Sequence, residues 1–211
     1  MIMITVIIGF LILSLALHEY GHAWMAYKCG DDTAERMGRL TLNPLAHIDP
    51  IMTIILPAVL YFTMGFAFGG AKPVPVATNR LRHPARDMMF VALAGPAMNV
   101  LLAIVFNLAE KVLIYHLGYE STELLPEVMW QMTVLNLLLA TFNMIPIPPL
   151  DGSRVLYFFL PPDLRRTYQG FERYGLLIVF GFIMFGGFES ILRKAIGVLV
   201  GYVEWITGGT W

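Results

Sequence analysis

The sequence predicts an all-α polytopic membrane protein, and three observations carry that prediction. Apolar residues fill 57% of the 211 positions and charged residues only 14%, against about 45–50% and about 25% in soluble domains. Uncharged runs extend over 1–18, 51–71, 88–109 and 128–150, several of them longer than the roughly 18 apolar residues that mark a membrane span. The soluble-looking pieces are three short charged loops, about 28–49, 72–87 and 151–172, too small for a separate domain. A net charge of −1 offers no basic surface for nucleic acid, and the single Cys29 excludes an intrachain disulfide framework and a cysteine-based zinc cluster.

Taken in order, the first run has no positive n-region and no small-residue cleavage motif, so it reads as one uncleaved helix over 2–28 rather than a signal peptide. Residues 51–71 have the length of a span, yet Pro57, Gly65, Gly69 and Gly70 interrupt them. Broken backbone at membrane depth survives only where protein or a water-filled cavity satisfies it, which leaves a kinked span or a re-entrant segment. Further helices are expected over 86–116 and 127–146. A shorter one over 173–188 holds only fifteen uncharged residues, Tyr174 to Phe188. Residues 191–206 are apolar but carry Arg193, Lys194 and Glu204, so they lie along the interface or return through the membrane. The total is about four to six hydrophobic segments in one domain over 1–211, with its core at 2–160 and C-terminal hydrophobic segments over 173–206.

Within the first helix, His18-Glu19-Tyr20-Gly21-His22 fits H-E-x-x-H. Positions i and i+4 share a helix face, so both imidazoles can reach one metal ion, with Glu19 beside them to take a proton from water. An ionisable residue inside a span costs about 2.5–3.5 kcal/mol on insertion scales, and such residues mark function by default. Zinc needs a third protein ligand and an open position. His47 and His83 read as solvated or turn residues of polar loops, and His116 closes its helix. Asp151 stands at the end of Asn143-Met144-Ile145-Pro146-Ile147-Pro148-Pro149-Leu150-Asp151-Gly152, where three prolines must unwind the chain. It reads equally well as a ligand or as the N-cap of a helix over Val155–Leu160.

These residues resemble the site-2 proteases, the intramembrane zinc metalloproteases. Four motifs match in order: HEYGH at 18–22, GRLTLNP at 38–44, AGPAMN at 94–99 and the 143–152 segment. With the GGAKPVPV stretch they resemble the short bacterial and archaeal branch, which lacks an appended PDZ or CBS domain. One departure is that this chain starts at the HExxH helix, where many family members carry a helix before it. The resemblance implies that His18, His22 and Asp151 hold one Zn²⁺ per chain, that Glu19 is the catalytic acid/base and that Asn143 helps hold the substrate. The substrate would be a transmembrane protein, cut in or near its membrane segment. That segment must unwind, and the Ile145–Pro149 stretch is expected to offer extended backbone for it to pair with.

If the ligands converge, the first and the 127–146 helices run in one direction and the 86–116 helix runs against them. Residues 51–71 then dip in and return. The side that holds the site carries eleven basic residues, from Lys28 to Arg173, whereas 117–127 carries only Glu120, Glu123 and Glu127. The positive-inside rule puts the active site toward the cytoplasm of a prokaryotic cell membrane. A metal-ion transporter would spread its ligands along a route and show an internal repeat. A proteolytically inactive scaffold would be expected to have lost Glu19 or a ligand. Neither pattern is evident.

Overall fold

The computed structural model describes residues 2–65, 69–184 and 189–208, and among them the regular structure is helical. The chain forms two compact units, Ile12–Gly95 and Met1–Leu11 with Pro96–Trp211.

The Ile12–Gly95 unit is built on α1 (Ile2–Lys28), which occupies the predicted range. Its end follows from Gly30, at φ +106°, a left-handed conformation that glycine adopts at little cost. Gly30 N–H donates to the Tyr27 carbonyl and Asp31 N–H to the Ala26 carbonyl, closing a Schellman motif. Asp31 is fully buried and accepts from the Thr33 and Ala77 N–H groups and the Thr33 hydroxyl. After the short α2 (Thr33–Arg36), Asn43 caps a 3-10 turn over Pro44–His47, and Asp49 caps the next helix by accepting from the Ile51 and Met52 N–H groups.

That helix begins as a π-helical turn (Pro50–Ile55), continues as α3 (Leu56–Met64) and stops at Gly65, φ +77°. The chain then comes back to where it started. Gly70 N–H reaches the Met52 carbonyl (3.1 Å), Lys72 N–H the His47 carbonyl (2.8 Å), and the Thr53 hydroxyl the Gly70 carbonyl (2.7 Å). The two ends of the segment are therefore held side by side. Its apolar helix, Pro50–Thr63, is also shorter than the about 20 residues a span requires. Residues 69–77 have no regular structure, and a 3-10 turn over Thr78–Arg80 leads toward α4 (Pro84–Lys111). Pro84 opens α4, and the Asp87 carboxylate reaches back to the His83 N–H as the acid of a capping box does. Ala26, Leu81 and Val91 form the core, with Met25, Cys29, Val76 and Met88 packed on it.

The other unit holds the first turns of α1, α4 from Pro96 onward with its π-helical extension Val112–His116, and α5 (Leu124–Asn143). Phe106, Val128 and Met132 form one core with Val6, Ile7 and Phe10, where the Phe10 and Phe106 rings meet edge to face at 5.5 Å. Asn99 donates to Asn136 (3.0 Å) in the interior, both residues fully buried. After α5 come α6 (Asp151–Phe159), α7 (Pro162–Gly170), α8 (Gly175–Met184) and α9 (Glu189–Ile206). Val203 of α9 is buried with Ala103 and Leu137, while Val198, Tyr202 and Trp205 stay exposed on the same helix.

Three expectations need correction. The third long helix is Leu124–Asn143 rather than 127–146, because Pro126 is tolerated in its first turn and Pro146 bars its continuation. The 151–172 loop is mostly helical, as α6 and α7. The 173–188 helix is described only as Gly175–Met184, since residues 185–188 lie outside the described residues. Three helices, Ile2–Lys28, Pro84–His116 and Leu124–Asn143, are long and apolar enough to cross a membrane among the described residues. Large apolar side chains such as Ile2, Ile4 and Phe62 are exposed on these helices and on α3, as lipid contact requires.

Because Asp31 satisfies two backbone donors from buried positions, Asp31→Ala should lower stability by about 1–3 kcal/mol. Thermal unfolding of the detergent-solubilised protein reads this, and an unchanged midpoint would mean that Thr33 and Ala77 are held by other contacts.

Candidate metal centre

Helical spacing puts His18 and His22 on one face of α1. Both are buried, and their Nε2 atoms lie 3.0 Å apart. His22 Nδ1 stands 2.7 Å from the Val91 carbonyl oxygen. A carbonyl can only accept, so Nδ1 carries the proton and neutral His22 keeps its lone pair on Nε2. This is the tautomer of a metal-binding imidazole, with the backbone carbonyl as its outer partner.

Two glycines make room for the pair. A Cβ on Gly21 would sit 2.8 Å from the Ala94 carbonyl oxygen. One on Gly95 would run into His22 Nε2 and stand 2.7 Å from His18 Cε1. The α4 backbone thus lies directly against the imidazoles, at a distance no side chain tolerates. Two ligands at about 2.0–2.1 Å on a tetrahedral zinc lie roughly 3.3 Å apart, close to the observed nitrogen separation. The residues fit that ion.

Glu19 is half-buried, and its Oε2 accepts from the Val74 N–H at 2.9 Å. It is thereby tied to the 69–77 segment. Cys29 supplies no competing nucleophile: burial pushes its thiol up from the ordinary range, and the Asp87 carboxylate adds to the effect.

In the other unit, Asp151 is the first residue of α6. The cap position is occupied by Leu150 with no side-chain cap bond, so the N-cap reading of Asp151 does not hold. Gly152 follows because a Cβ there would meet the Met144 and Ile145 carbonyls. Asn143 ends α5 and donates from Nδ2 to the Leu139 carbonyl (3.0 Å). The Ile145–Pro149 stretch is not the extended edge expected. Ile147 N–H bonds to the Ile145 carbonyl and Leu150 N–H to the Ile147 carbonyl. Positions 146, 148 and 149 are prolines without a donor, so the stretch is a chain of turns. His47 also departs from expectation, being 2% exposed with Nε2 2.9 Å from the Thr41 carbonyl. His83 is an exposed bend residue and His116 ends the π-helical extension of its helix, exposed, both as read.

Gly21, Gly95 and Asn99 were visible inside the HEYGH and AGPAMN motifs but carried no role. Their spacing fits a helix, and the need for a missing Cβ shows only once two helices touch.

Gly95→Ala should therefore displace the imidazoles and reduce bound zinc well below one per chain, with helical content unchanged. Metal analysis together with circular dichroism reads both quantities. Full zinc in Gly95→Ala would mean that α4 can retreat without disturbing the histidines.

The model of peptidase family M50 matches residues 5–114 and 107–186. The chain is 39% identical over 173 residues to "Putative zinc metalloprotease YwhC" of Bacillus subtilis, covering 80% of this chain and 75% of that protein. It is 35% identical over 182 residues to "Putative zinc metalloprotease Rip2" of Mycolicibacterium smegmatis, covering 84% of this chain and 66% of the relative. "Zinc metalloprotease MJ0392" of Methanocaldococcus jannaschii is 25% identical over 146 residues, 69% of this chain and 32% of its own length. No solved structure matches. With a family match over most of its length and a buried histidine pair that fits the ion, the chain belongs to peptidase family M50, the site-2 protease family, as a membrane metalloprotease with Zn²⁺ as its cofactor.

Proposed function

We propose that the chain is a single intramembrane protease domain that hydrolyses a peptide bond in or near a transmembrane segment of a membrane-protein substrate. The observation that carries the reading is the HExxH helix: two buried imidazoles converge through Nε2, and Glu19 is the next residue on the same turn. His18, His22 and Asp151 are the proposed ligands of one zinc. Asp151 is supported by its place after the proline-broken segment and by the loss of its N-cap alternative.

Zinc, when bound, supplies Lewis acidity at the scissile carbonyl and lowers the pKa of water there to about 7. Glu19 takes the proton of the attacking water on the carboxylate oxygen that Val74 does not hold, then delivers it to the leaving amine. Asn143 has one amide hydrogen on Leu139 and a second with which to donate to substrate. The substrate helix must unwind before its backbone reaches Glu19, which favours segments rich in Gly, Pro or other weak helix formers.

Glu19→Gln should keep its zinc and lose cleavage by about 10²–10⁴-fold. Proteomics of membrane fractions from wild type and Glu19→Gln cells would show substrates accumulating intact. Asp151→Ala should lose zinc, and full metal content in that variant would remove Asp151 from the ligand set.

The proposed orientation puts 28–49, 72–87 and 151–172 in the cytoplasm of a prokaryotic cell and 117–127 outside, in line with the basic residues of the first three. Single cysteines at Glu35, Thr78, Glu123 and Asp163, all exposed, can be placed in a Cys29→Ser background and probed with an impermeant thiol reagent on intact cells. Only position 123 should label. Labelling at 35, 78 and 163 instead would reverse the orientation.

A further inference from the structure

The GRLTLNP motif contributes nothing to the chemistry above, yet it contains Arg39, a guanidinium that is only 7% exposed. Its Nη2 donates to the Lys72 carbonyl (2.5 Å) and the Pro73 carbonyl (3.5 Å). Its Nε is buried with no hydrogen-bond partner, and no carboxylate forms an ion pair with it among the described residues. A buried, unpaired cation costs several kcal/mol. A role as a simple strut would not offset that, because an apolar side chain of similar volume fills space without the penalty.

What Arg39 grips explains its presence. Lys72-Pro73-Val74-Pro75 is stiff, since each proline fixes its own φ and confines the residue before it to extended backbone. Between Lys72 and Val76 only Val74 carries an N–H, and that group donates to Glu19 Oε2. The rod is held at its start by Lys72 N–H on the His47 carbonyl and further along by Ala77 N–H on Asp31. Arg39 holds the two carbonyls that immediately precede the Val74 N–H.

We infer that Arg39 is a positioning residue for Glu19: by clasping the Lys72 and Pro73 carbonyls it fixes the Val74 N–H on one carboxylate oxygen and so orients the other toward water. The inference rests on the proposed acid/base role of Glu19. Arg39 need not touch the substrate for this to matter, because a misplacement of about 1 Å can cost about 100-fold in rate.

The test compares Arg39→Met, Arg39→Lys and Glu19→Gln with wild type in proteoliposomes. The probe is a quenched fluorescent transmembrane peptide with a central Gly-Pro step, and hydrogen exchange at 69–77 and zinc content are measured beside cleavage. Arg39→Met keeps the stem but cannot donate. It should speed exchange at 69–77, retain one zinc per chain and lower kcat about 10–100-fold with KM little changed. Arg39→Lys, which can donate to a carbonyl, should recover most of the kcat. Unaltered exchange at 69–77 in Arg39→Met overturns the clasp, and so does a full kcat or a loss confined to KM. An inactive Glu19→Gln beside a fully active Arg39→Met would mean that the clasp alone has failed. A fully active Glu19→Gln would instead remove the acid/base role on which the inference stands.

Discussion

The site depends on a close approach of two backbones. Where α1 meets α4 there is no Cβ on Gly21 to push off the Ala94 carbonyl and none on Gly95 to push off the imidazoles. That approach brings the Val91 carbonyl to 2.7 Å from His22 Nδ1, which fixes the tautomer and turns Nε2 toward His18. A larger residue at either glycine would separate the helices and loosen the carbonyl, the imidazole orientation and the nitrogen pair together. In an apolar layer, where water cannot replace a lost partner, each of those losses would stand uncompensated.

The same requirement shapes the 47–77 region. A broken helix in a membrane exposes donors and acceptors that must be met within the protein. Here Asp49 meets the first donors, the returning chain meets the Met52 and His47 carbonyls, and Thr53 meets the Gly70 carbonyl. Holding its two ends side by side is therefore what lets this segment satisfy its own backbone. His47 belongs to that closure, which is why it is buried and not the solvated loop residue its polar neighbours suggested.

The sequence made legible whatever is set by local composition. The long apolar runs located α1, and α4 with its π-helical extension, to within two residues, and HExxH spacing put His18 and His22 on one face. Prolines marked where α5 stops, though they did not show whether the backbone beyond would extend or turn. That outcome depends on which N–H groups remain, and here Ile147 and Leu150 spend theirs internally. The helices α6 and α7 were hidden because charged residues are ambiguous between a loop and the polar side of a short helix. Gly95, Arg39 and Val74 were least legible, since each acts through a contact between segments distant in sequence. A proline-flanked valine reads as linker until its lone N–H is seen on Glu19.

Several charged groups of the Ile12–Gly95 unit have a common feature that bears on the chemistry of Glu19. Asp31 and Asp49 are met by backbone N–H groups, Arg39 by backbone carbonyls and Glu19 by the Val74 N–H. Among the described residues no cation forms an ion pair with Glu19. An arginine opposite it would engage both oxygens in a bidentate grip and stabilise the very charge that accepting a proton must neutralise. One backbone donor holds a single oxygen and fixes the orientation of the carboxylate while leaving the other oxygen available. The proline-stiffened segment thus orients the base without a countercharge that would hold it in its charged form.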